Sequence, residues 1–246
     1  MATILMGLAI AAVPSAAMAT HSWGGYHWAR TSNPFTLQVG DNVSGAWDSV
    51  LDTSIADWSQ STVLDLDKAA GGTRPKPCKA TSGRVEVCNA KYGNNGWLGL
   101  AQIWITGGTH ITKGVVKVND TYYNTPTYNT TAWRNLVMCQ EIGHTFGLDH
   151  QDEDFDNPNL DTCMDYTSSP GTNQHPNQHD YQMLEQIYAH TDGTTTVGLV
   201  TNGRGSAAPA NSWGRLVRSS AGGHSSVFEL DLGNGQSVVT HVTWAR

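Results

Sequence analysis

The distribution of apolar residues along the chain predicts a domain that combines strands with helices. Apolar and polar residues alternate in Pro34 to Val39 and in Thr62 to Leu66, as they do in half-buried strands. Between these segments, apolar residues recur at helical spacing from Trp47 to about Gln60. A strand, helix, strand order of this kind indicates an α/β or α+β domain built on a twisted sheet.

Further strands and two helices are predicted in the middle of the chain. The strand segments are rich in Val, Ile and Leu, and they are Arg84 to Cys88, Gly99 to Thr106 and Gly114 to Asn119. A helix begins at Ala132, with Thr130 or Thr131 as its cap. A last helix is expected from Tyr181 to Tyr188, with Asp180 as its cap.

The end of the chain has a different composition. Asp192 to Asn211 is rich in Gly, Thr, Asn and Ala, which is typical of a linker. Trp213 to Val217 predicts one strand, and Val227 to Leu232 and Ser237 to Trp244 alternate around Gly233-Asn234-Gly235, a strong hairpin signal. We expect this hairpin either to pack on the main domain or to form a small accessory sheet.

The helix that begins at Ala132 leads into polar residues whose spacing suits a metal site. Gln140 and His144 lie one helical turn apart, and Glu141 lies beside them. Gly147 can adopt a positive φ, so the helix can end there and the chain can bring His150 back to the same point. This layout is typical of a three-ligand metal site with a carboxylate beside an open coordination position.

The stretch from Cys139 to His150, followed by Cys163 to Tyr166, resembles the zinc-binding signature of the metzincin metallopeptidases, H-E-x-x-H-x-x-G-x-x-H with a Met-turn. Every signature position matches except the first, where Gln140 replaces a histidine. The resemblance is specific over residues 139–166 and loose over the rest of 30–190. It implies an α+β fold of the metzincin catalytic type: a twisted mixed sheet with an active-site helix, a Met-turn and a C-terminal helix, plus a small C-terminal β hairpin region.

The resemblance also implies a function, that of a secreted zinc-dependent metalloendopeptidase. Zn²⁺ is the expected cofactor, and Glu141 is the expected general base for a metal-activated water that attacks the peptide carbonyl. The expected metal ligands are Gln140, His144 and His150. The alternative is a catalytically inactive protein of metzincin fold that binds proteins or peptides.

Two further roles carry over from the family. Met164 would form the hydrophobic floor beneath the metal, and Tyr166 stands where some metzincins have a tyrosine that coordinates the metal or stabilises the transition state. The later part of the region that ends at Asn119 resembles the edge strand that borders the substrate cleft in metzincins. A peptide substrate would then add to that exposed edge by backbone hydrogen bonds.

The substitution of histidine by Gln140 leaves three interpretations. The carboxamide oxygen is a weaker, neutral zinc ligand than imidazole, and Gln140 can bind the metal through it. Alternatively, another residue completes the coordination sphere, such as Asp149, His110, His175 or His179. In the third interpretation, zinc is lost or only structural, and the domain binds proteins without cutting them.

The N-terminus and the cysteines indicate an exported protein. The short apolar run from Ile4 to Val13, followed by Ala17-Met18-Ala19 before Thr20, reads as a secretory signal peptide over residues 1–19. Four cysteines in an exported chain usually form two disulfides, for which three pairings are possible. Local spacing favours one short loop and leaves a second pair: Cys78 with Cys88, and Cys139 with Cys163.

Charge limits the classes of partner. The net charge of -7 argues against nucleic acid or an anionic membrane surface as the main partner. We expect a protein or peptide substrate, and a monomer. The expected organisation is a signal peptide at 1–19, a metzincin-like catalytic domain at 20–191, a linker at 192–211 and a small β accessory region at 212–246.

Overall fold

The computed structural model describes residues 20–199 and 213–245. The predicted signal peptide lies outside these ranges, as do residues 200–211 of the predicted linker. Within the described part, no helix has the length and apolar character needed to cross a membrane.

One nine-stranded mixed sheet forms the centre of the fold. Its strands are β1 (His27–Trp28), β2 (Phe35–Asn42), β3 (Leu64–Ala70), β4 (Val85–Ala90), β5 (Trp97–Thr106), β6 (His110–Asn119), β7 (Arg215–Ser219), β8 (Ser225–Gly233) and β9 (Gln236–Trp244). The order across the sheet is β3-β2-β4-β6-β5-β9-β8-β7, and β1 pairs with β6. The predicted strands are therefore all present.

Strand direction divides the sheet into two parts. Strands β2, β3, β4 and β6 run parallel to one another, whereas β5 is antiparallel to β6. From β5 onwards every pairing is antiparallel. Together with the helices, this mixed sheet confirms the predicted α+β class.

The helices pack against the sheet and against each other. They are α1 (Asp48–Trp58), which follows a short 3₁₀ turn (Gly45–Trp47), α2 (Asp120–Tyr123), α3 (Thr131–His144) and α4 (Gln178–Ile187). Helix α3 contacts both α1 and β5. Its side chains from Leu136 to His144 are almost all buried, because the helix passes through the main hydrophobic core.

The cap predicted for α4 lies three residues too late. Asn177 is the N-cap residue, and its side chain accepts hydrogen bonds from the backbone N–H groups of His179 and Asp180. Asp180 is instead the third helical residue, whose carboxylate accepts from the N–H of Asn177, 2.8 Å away. The two residues thus form one capping box, in which Asn177 is the N-cap residue and Asp180 bonds back to the backbone of Asn177.

The C-terminal hairpin joins the central sheet. β8 and β9 meet at the predicted turn, where Asn234 and Gly235 both have positive φ. β9 pairs antiparallel with β5 along nearly its whole length. β5 therefore has a neighbour on each side, and β6 is internal too, so neither is the exposed edge that the sequence predicted for peptide binding.

Candidate metal centre

The end of α3 brings two of the predicted histidines together. The helix ends at His144, and Gly147 follows with φ of +92°. A Cβ atom at this glycine would lie 1.8 Å from the backbone oxygen of Tyr26, so only glycine fits the turn. The chain then returns His150 to the helix end, where the Nε2 atoms of His144 and His150 are 3.2 Å apart.

A third histidine, His241 on β9, lies beside His144 and His150. One ring nitrogen each of His144, His150 and His241 lies within 4.8 Å of the others, and all three side chains are buried. The ring of His241 lies 4.0 Å from that of His144 and 4.8 Å from that of His150, between centroids. The cluster thus combines α3, the turn after it and β9.

The geometry of the cluster fits a transition-metal site. Bonds of about 2.0–2.1 Å at tetrahedral angles place zinc-bound nitrogens about 3.3 Å apart, close to the separation of His144 and His150. His144 Nδ1 lies 2.8 Å from the carbonyl oxygen of Leu148, which fixes the proton on Nδ1 and leaves Nε2 with its lone pair. Burial and the neighbouring His241 and His150 hold the pKa of His144 well below its usual range, so the ring is neutral, as metal binding requires.

Acidic groups face His150 on its outer side, at ion-pair rather than hydrogen-bond distance. Asp149 Oδ1 lies 3.5 Å from His150 Nδ1, and Glu153 Oε1 lies 3.8 Å from it. Arg218 on β7 pairs with Asp149 at 2.5 Å. A carboxylate on the far nitrogen of a histidine is the usual support for a metal ligand, because it orients the ring and makes the near nitrogen a better donor.

Glu141 lies against the histidine cluster. Its Oε2 is 3.2 Å from His241 Nδ1, and its Oε1 accepts a 2.7 Å hydrogen bond from the hydroxyl of Thr243. Burial raises the pKa of Glu141 to about 7, although His144, Thr243 and His150 counteract part of this effect. A carboxyl group with a pKa near neutrality can both accept and release a proton.

The approach of β5 to α3 depends on a glycine. Gly99 pairs with Thr243 across β5 and β9, so the two residues face the same side of the sheet. A Cβ atom on Gly99 would lie 2.5 Å from Val137 Cγ1 and 3.1 Å from Glu141 Cγ. The missing side chain therefore lets the helix lie close enough for Thr243 to reach Glu141.

Gln140 has a different set of partners from the one that the signature suggests. Its Nε2 donates to the carbonyl oxygen of Cys163 at 3.0 Å, and its Oε1 lies 3.1 Å from the Thr243 hydroxyl, whose single proton it shares with Oε1 of Glu141. Both ends of the carboxamide are thus engaged in hydrogen bonds to the Met-turn and to β9. In this structure Gln140 fastens α3 to its two neighbours.

The predicted Met-turn residues lie beneath and beside the cluster. Met164 is fully buried, and a Cβ atom on Gly143 would lie 2.8 Å from its sulfur, which shows how closely it packs under α3. The Tyr166 hydroxyl lies 3.2 Å from His241 Nε2, and its ring lies 4.1 Å from that of His150. Burial holds the pKa of Tyr166 well above its usual range.

Both predicted disulfides are present. Cys78, in the loop before β4, is bonded to Cys88 within β4, and Cys139 is bonded to Cys163. The second bond joins the residue before Gln140 to the residue before Met164. It therefore ties α3 covalently to the Met-turn.

The other residues considered as replacement ligands lie elsewhere. His175 pairs with Asp57 at 2.7 Å, and the ring of His179 packs on His21. His110 lies next to Asp192. Asp149 is close, but it contacts His150 on the Nδ1 side, away from His144.

Sequence reasoning missed His241. The residue stands on an alternating strand 91 positions after His150, and a lone histidine on a strand is more often structural than a ligand. The sequence signal was that Ser237, His241 and Thr243 place polar groups on one face of the strand, where Val239 is the apolar residue.

The cluster is covered on its outer side. The ring of Trp23 lies 5.5 Å from that of His144 and 6.4 Å from that of His241. The backbone around it is anchored, because the N–H of Trp23 donates to the carbonyl of Gly147 at 2.7 Å. The N-terminal segment and β9 thus enclose the cluster from two sides.

Comparisons with known proteins give a distant structural likeness. No family model and no curated protein matches the sequence. A structure of myroilysin aligns with 69% of this chain and 98% of its own, at 13% identity and a TM-score of 0.39. High choriolytic enzyme 1, a hatching enzyme zinc-protease from Oryzias latipes (Medaka fish), aligns with 68% of this chain and 96% of its own, at 10% identity and a TM-score of 0.36.

Proposed function

We propose that the protein is a secreted zinc-dependent metalloendopeptidase whose metal is held by His144, His150 and His241. The observation that carries the proposal is the buried convergence of these three imidazoles with the carboxylate of Glu141 lying against them. His241 takes the place of the histidine that the metzincin signature has at position 140. The site thus keeps three nitrogen donors while one of them comes from a different element.

The residues around the cluster support hydrolysis of a peptide bond. When bound, zinc in such a site lowers the pKa of a water molecule and polarises a carbonyl oxygen. Glu141 would accept the proton of the attacking water and then donate it to the leaving amine. Thr243 contacts Oε1 of Glu141, and Oε2 faces the ring of His241, so the carboxylate is held with Oε2 towards the histidine cluster.

Tyr166 has a supporting role in this proposal. Its hydroxyl lies against the ring of His241, within the same buried group as Glu141. Because its pKa is raised by burial, the hydroxyl stays protonated and can donate a hydrogen bond to negative charge that develops on the substrate oxygen.

Two observations favour the second candidate function, that of a metal-binding protein that does not cut. β9 occupies the edge of β5, and the carboxylate of Glu141 is fully buried. A peptide has no free backbone on β5 to pair with in this arrangement. For cleavage, β8 and β9 must move away from β5, or the peptide must approach the cluster from another side.

The two functions are separated by substitution of Glu141 in the full chain. Glu141→Gln is expected to keep the zinc and abolish chelator-sensitive cleavage of a general protein substrate such as casein. Glu185→Gln is the matched control, because Glu185 is an exposed carboxylate whose partner is Thr62, and it should cleave like the wild type. Equal cleavage by Glu141→Gln and the wild type would refute the mechanism, and a zinc-loaded wild type that cuts nothing would favour the second function.

A further inference from the structure

A second group of histidines lies around one carboxylate, away from the cluster at α3. His27 is on β1, and His190 and Asp192 follow α4. His27 Nε2 lies 3.2 Å from His190 Nε2, and Asp192 Oδ1 lies 3.5 Å from the former and 3.7 Å from the latter. Three potential metal-ligand atoms from two distant parts of the sequence therefore face one another.

The separations match those within a zinc site. Tetrahedral zinc with bonds of about 2.0–2.1 Å places its ligand atoms about 3.3 Å apart. A fourth group is at hand, since His110 Nε2 at the start of β6 lies 3.2 Å from Asp192 Oδ1, and its ring packs edge-on against His27. Three imidazoles and one carboxylate make a donor set that zinc accepts.

The ligand atoms are oriented by contacts on their far sides. His27 Nδ1 lies 2.9 Å from the carbonyl oxygen of Gly25, which places the proton on Nδ1 and leaves Nε2 free. Asp192 Oδ2 accepts from the backbone N–H and a guanidinium N–H of Arg30, at 3.1 and 2.9 Å. This leaves Oδ1 as the oxygen that faces the histidines.

The supporting arginine is itself buried and fixed. Arg30 is 2% exposed, and its guanidinium also donates to the carbonyl oxygens of Tyr188 and His190. A buried cation held this firmly sets the position of Asp192 and of the chain that carries His190. The outer contacts of the group are thus those expected around a metal ligand.

The free lone pairs of the group can bind a cation. Because the proton of His27 is assigned to Nδ1 by Gly25, its Nε2 offers a lone pair, which can accept a proton from His190 Nε2 or bind a metal. Asp192 Oδ1, 3.5 Å from His27 Nε2, also offers only lone pairs. A single divalent cation would bind these lone pairs together.

We propose that His27, His190 and Asp192, with His110 as the fourth ligand, form a second site for a divalent transition metal such as zinc, with a structural role. The site would fasten the segment before β2 and the start of β6 to the chain that leaves α4. Four protein ligands leave no open position, which is the hallmark of a structural rather than a catalytic zinc site. The proposal does not depend on peptidase activity.

The test is the zinc stoichiometry of the full chain, measured on metal-stripped protein titrated with zinc alone. Wild type is expected to bind two equivalents, and His190→Ala, which removes a half-exposed ring, is expected to bind one. His175→Ala is the matched control, since His175 is also an exposed histidine paired with a carboxylate, Asp57, and it should still bind two. Circular dichroism shows whether each variant is folded.

A second variant identifies which equivalent is lost. His241→Ala removes a ligand of the cluster at α3, so it should also bind one equivalent, and the double variant with His190→Ala should bind none. With cobalt in place of zinc, His190→Ala should lose one of two sets of visible absorption bands. The proposal is overturned if wild type binds only one equivalent and His241→Ala removes it, or if His190→Ala binds as much zinc as His175→Ala. Asp192→Asn provides the same test if His190→Ala does not fold.

Discussion

The hydroxyl of Thr243 lies 3.1 Å from Oε1 of Gln140 and 2.7 Å from Oε1 of Glu141, so its one proton, shared between these two acceptors, links β9 to the helix position where the metzincin signature has a histidine. His241 lies two positions earlier on the same face of β9, against Glu141. β9 thus carries both the partner of Gln140 and the imidazole that we propose as the third metal ligand.

If His241 supplies the imidazole that position 140 lacks, a histidine placed at position 140 should be able to replace His241 as a zinc ligand. His241→Ala should lower zinc affinity at the α3 cluster by more than about 100-fold, because loss of even an outer-shell partner of a metal ligand costs about 10–100-fold. Gln140→His added to His241→Ala should recover much of the loss, since residue 140 lies one turn before His144. Competition with a zinc chelator measures both effects.

The single substitution Gln140→His serves as the control. With His241 still present, it should not raise zinc affinity, and it should lower stability, because it removes the hydrogen bonds to Cys163 and Thr243. Unchanged zinc affinity in His241→Ala would contradict the assignment of His241. A large gain in affinity or cleavage from Gln140→His alone would show that the native site is an impaired one.

Thr243→Val tests the contact that supports Glu141, the proposed general base. The change keeps the shape of the side chain but removes the 2.7 Å hydrogen bond to the fully buried carboxylate of Glu141. We expect a loss of about 1–3 kcal/mol in the free energy of unfolding, the cost of leaving a buried acceptor without its partner. Urea unfolding measures it.

A neighbouring threonine provides the comparison for this prediction. Thr240 is also buried on β9, but it accepts its hydrogen bond from the neutral side chain of Gln102. Thr240→Val should cost about 1 kcal/mol or less and leave cleavage unchanged, because no charged group loses a partner. Equal effects of the two changes on stability and on cleavage would mean that Thr243 has no special relation to Glu141.

The two disulfides should differ in what their removal does. In the chain-entropy model, loss of the Cys139–Cys163 bond costs about 3.5 kcal/mol for its separation of 24 positions, and loss of the Cys78–Cys88 bond costs about 2.7 kcal/mol for 10. Double substitution of each pair by alanine should therefore lower stability by similar amounts. Only the first pair joins α3 to the Met-turn, so only its removal should also weaken zinc binding. Equal zinc affinity in both variants would show that the bond does not position the site.

The predictions that came from local sequence agree with the structure, except for the start of α4. Alternation of apolar residues located the strands, a glycine with positive φ located the turn after His144, and Gly233-Asn234-Gly235 located the hairpin. Each of these features is determined by a few consecutive residues. The cap of α4 was misplaced because two polar residues three positions apart share one capping box.

Contacts between residues that are far apart in the chain could not be predicted from the sequence. The contact between Gln140 and Thr243 spans 103 positions, and that between His27 and His190 spans 163. Nothing in the alternation of β9 indicates which strand it pairs with, because a hairpin with one buried face can lie on a sheet or beside it. His241 could therefore not be assigned to the cluster from the sequence, because its position depends on the pairing of β9 with β5.

Removal of the C-terminal strands is the broadest test of the site. A chain that stops after residue 199 lacks β7, β8 and β9, and with them His241 and Thr243. Two imidazoles remain beside a glutamine whose oxygen has lost its donor, so we expect this chain to lose the zinc of the α3 cluster and all cleavage. Zinc titration and casein cleavage, compared with full-length His241→Ala, separate the loss of the ligand from the loss of three strands. In the opposite outcome, the shortened chain keeps its zinc and cuts faster than the full chain. That result would mean that β9 only blocks the edge of β5, because its removal would then expose a working site. It would also mean that Gln140, and not His241, is the third metal ligand.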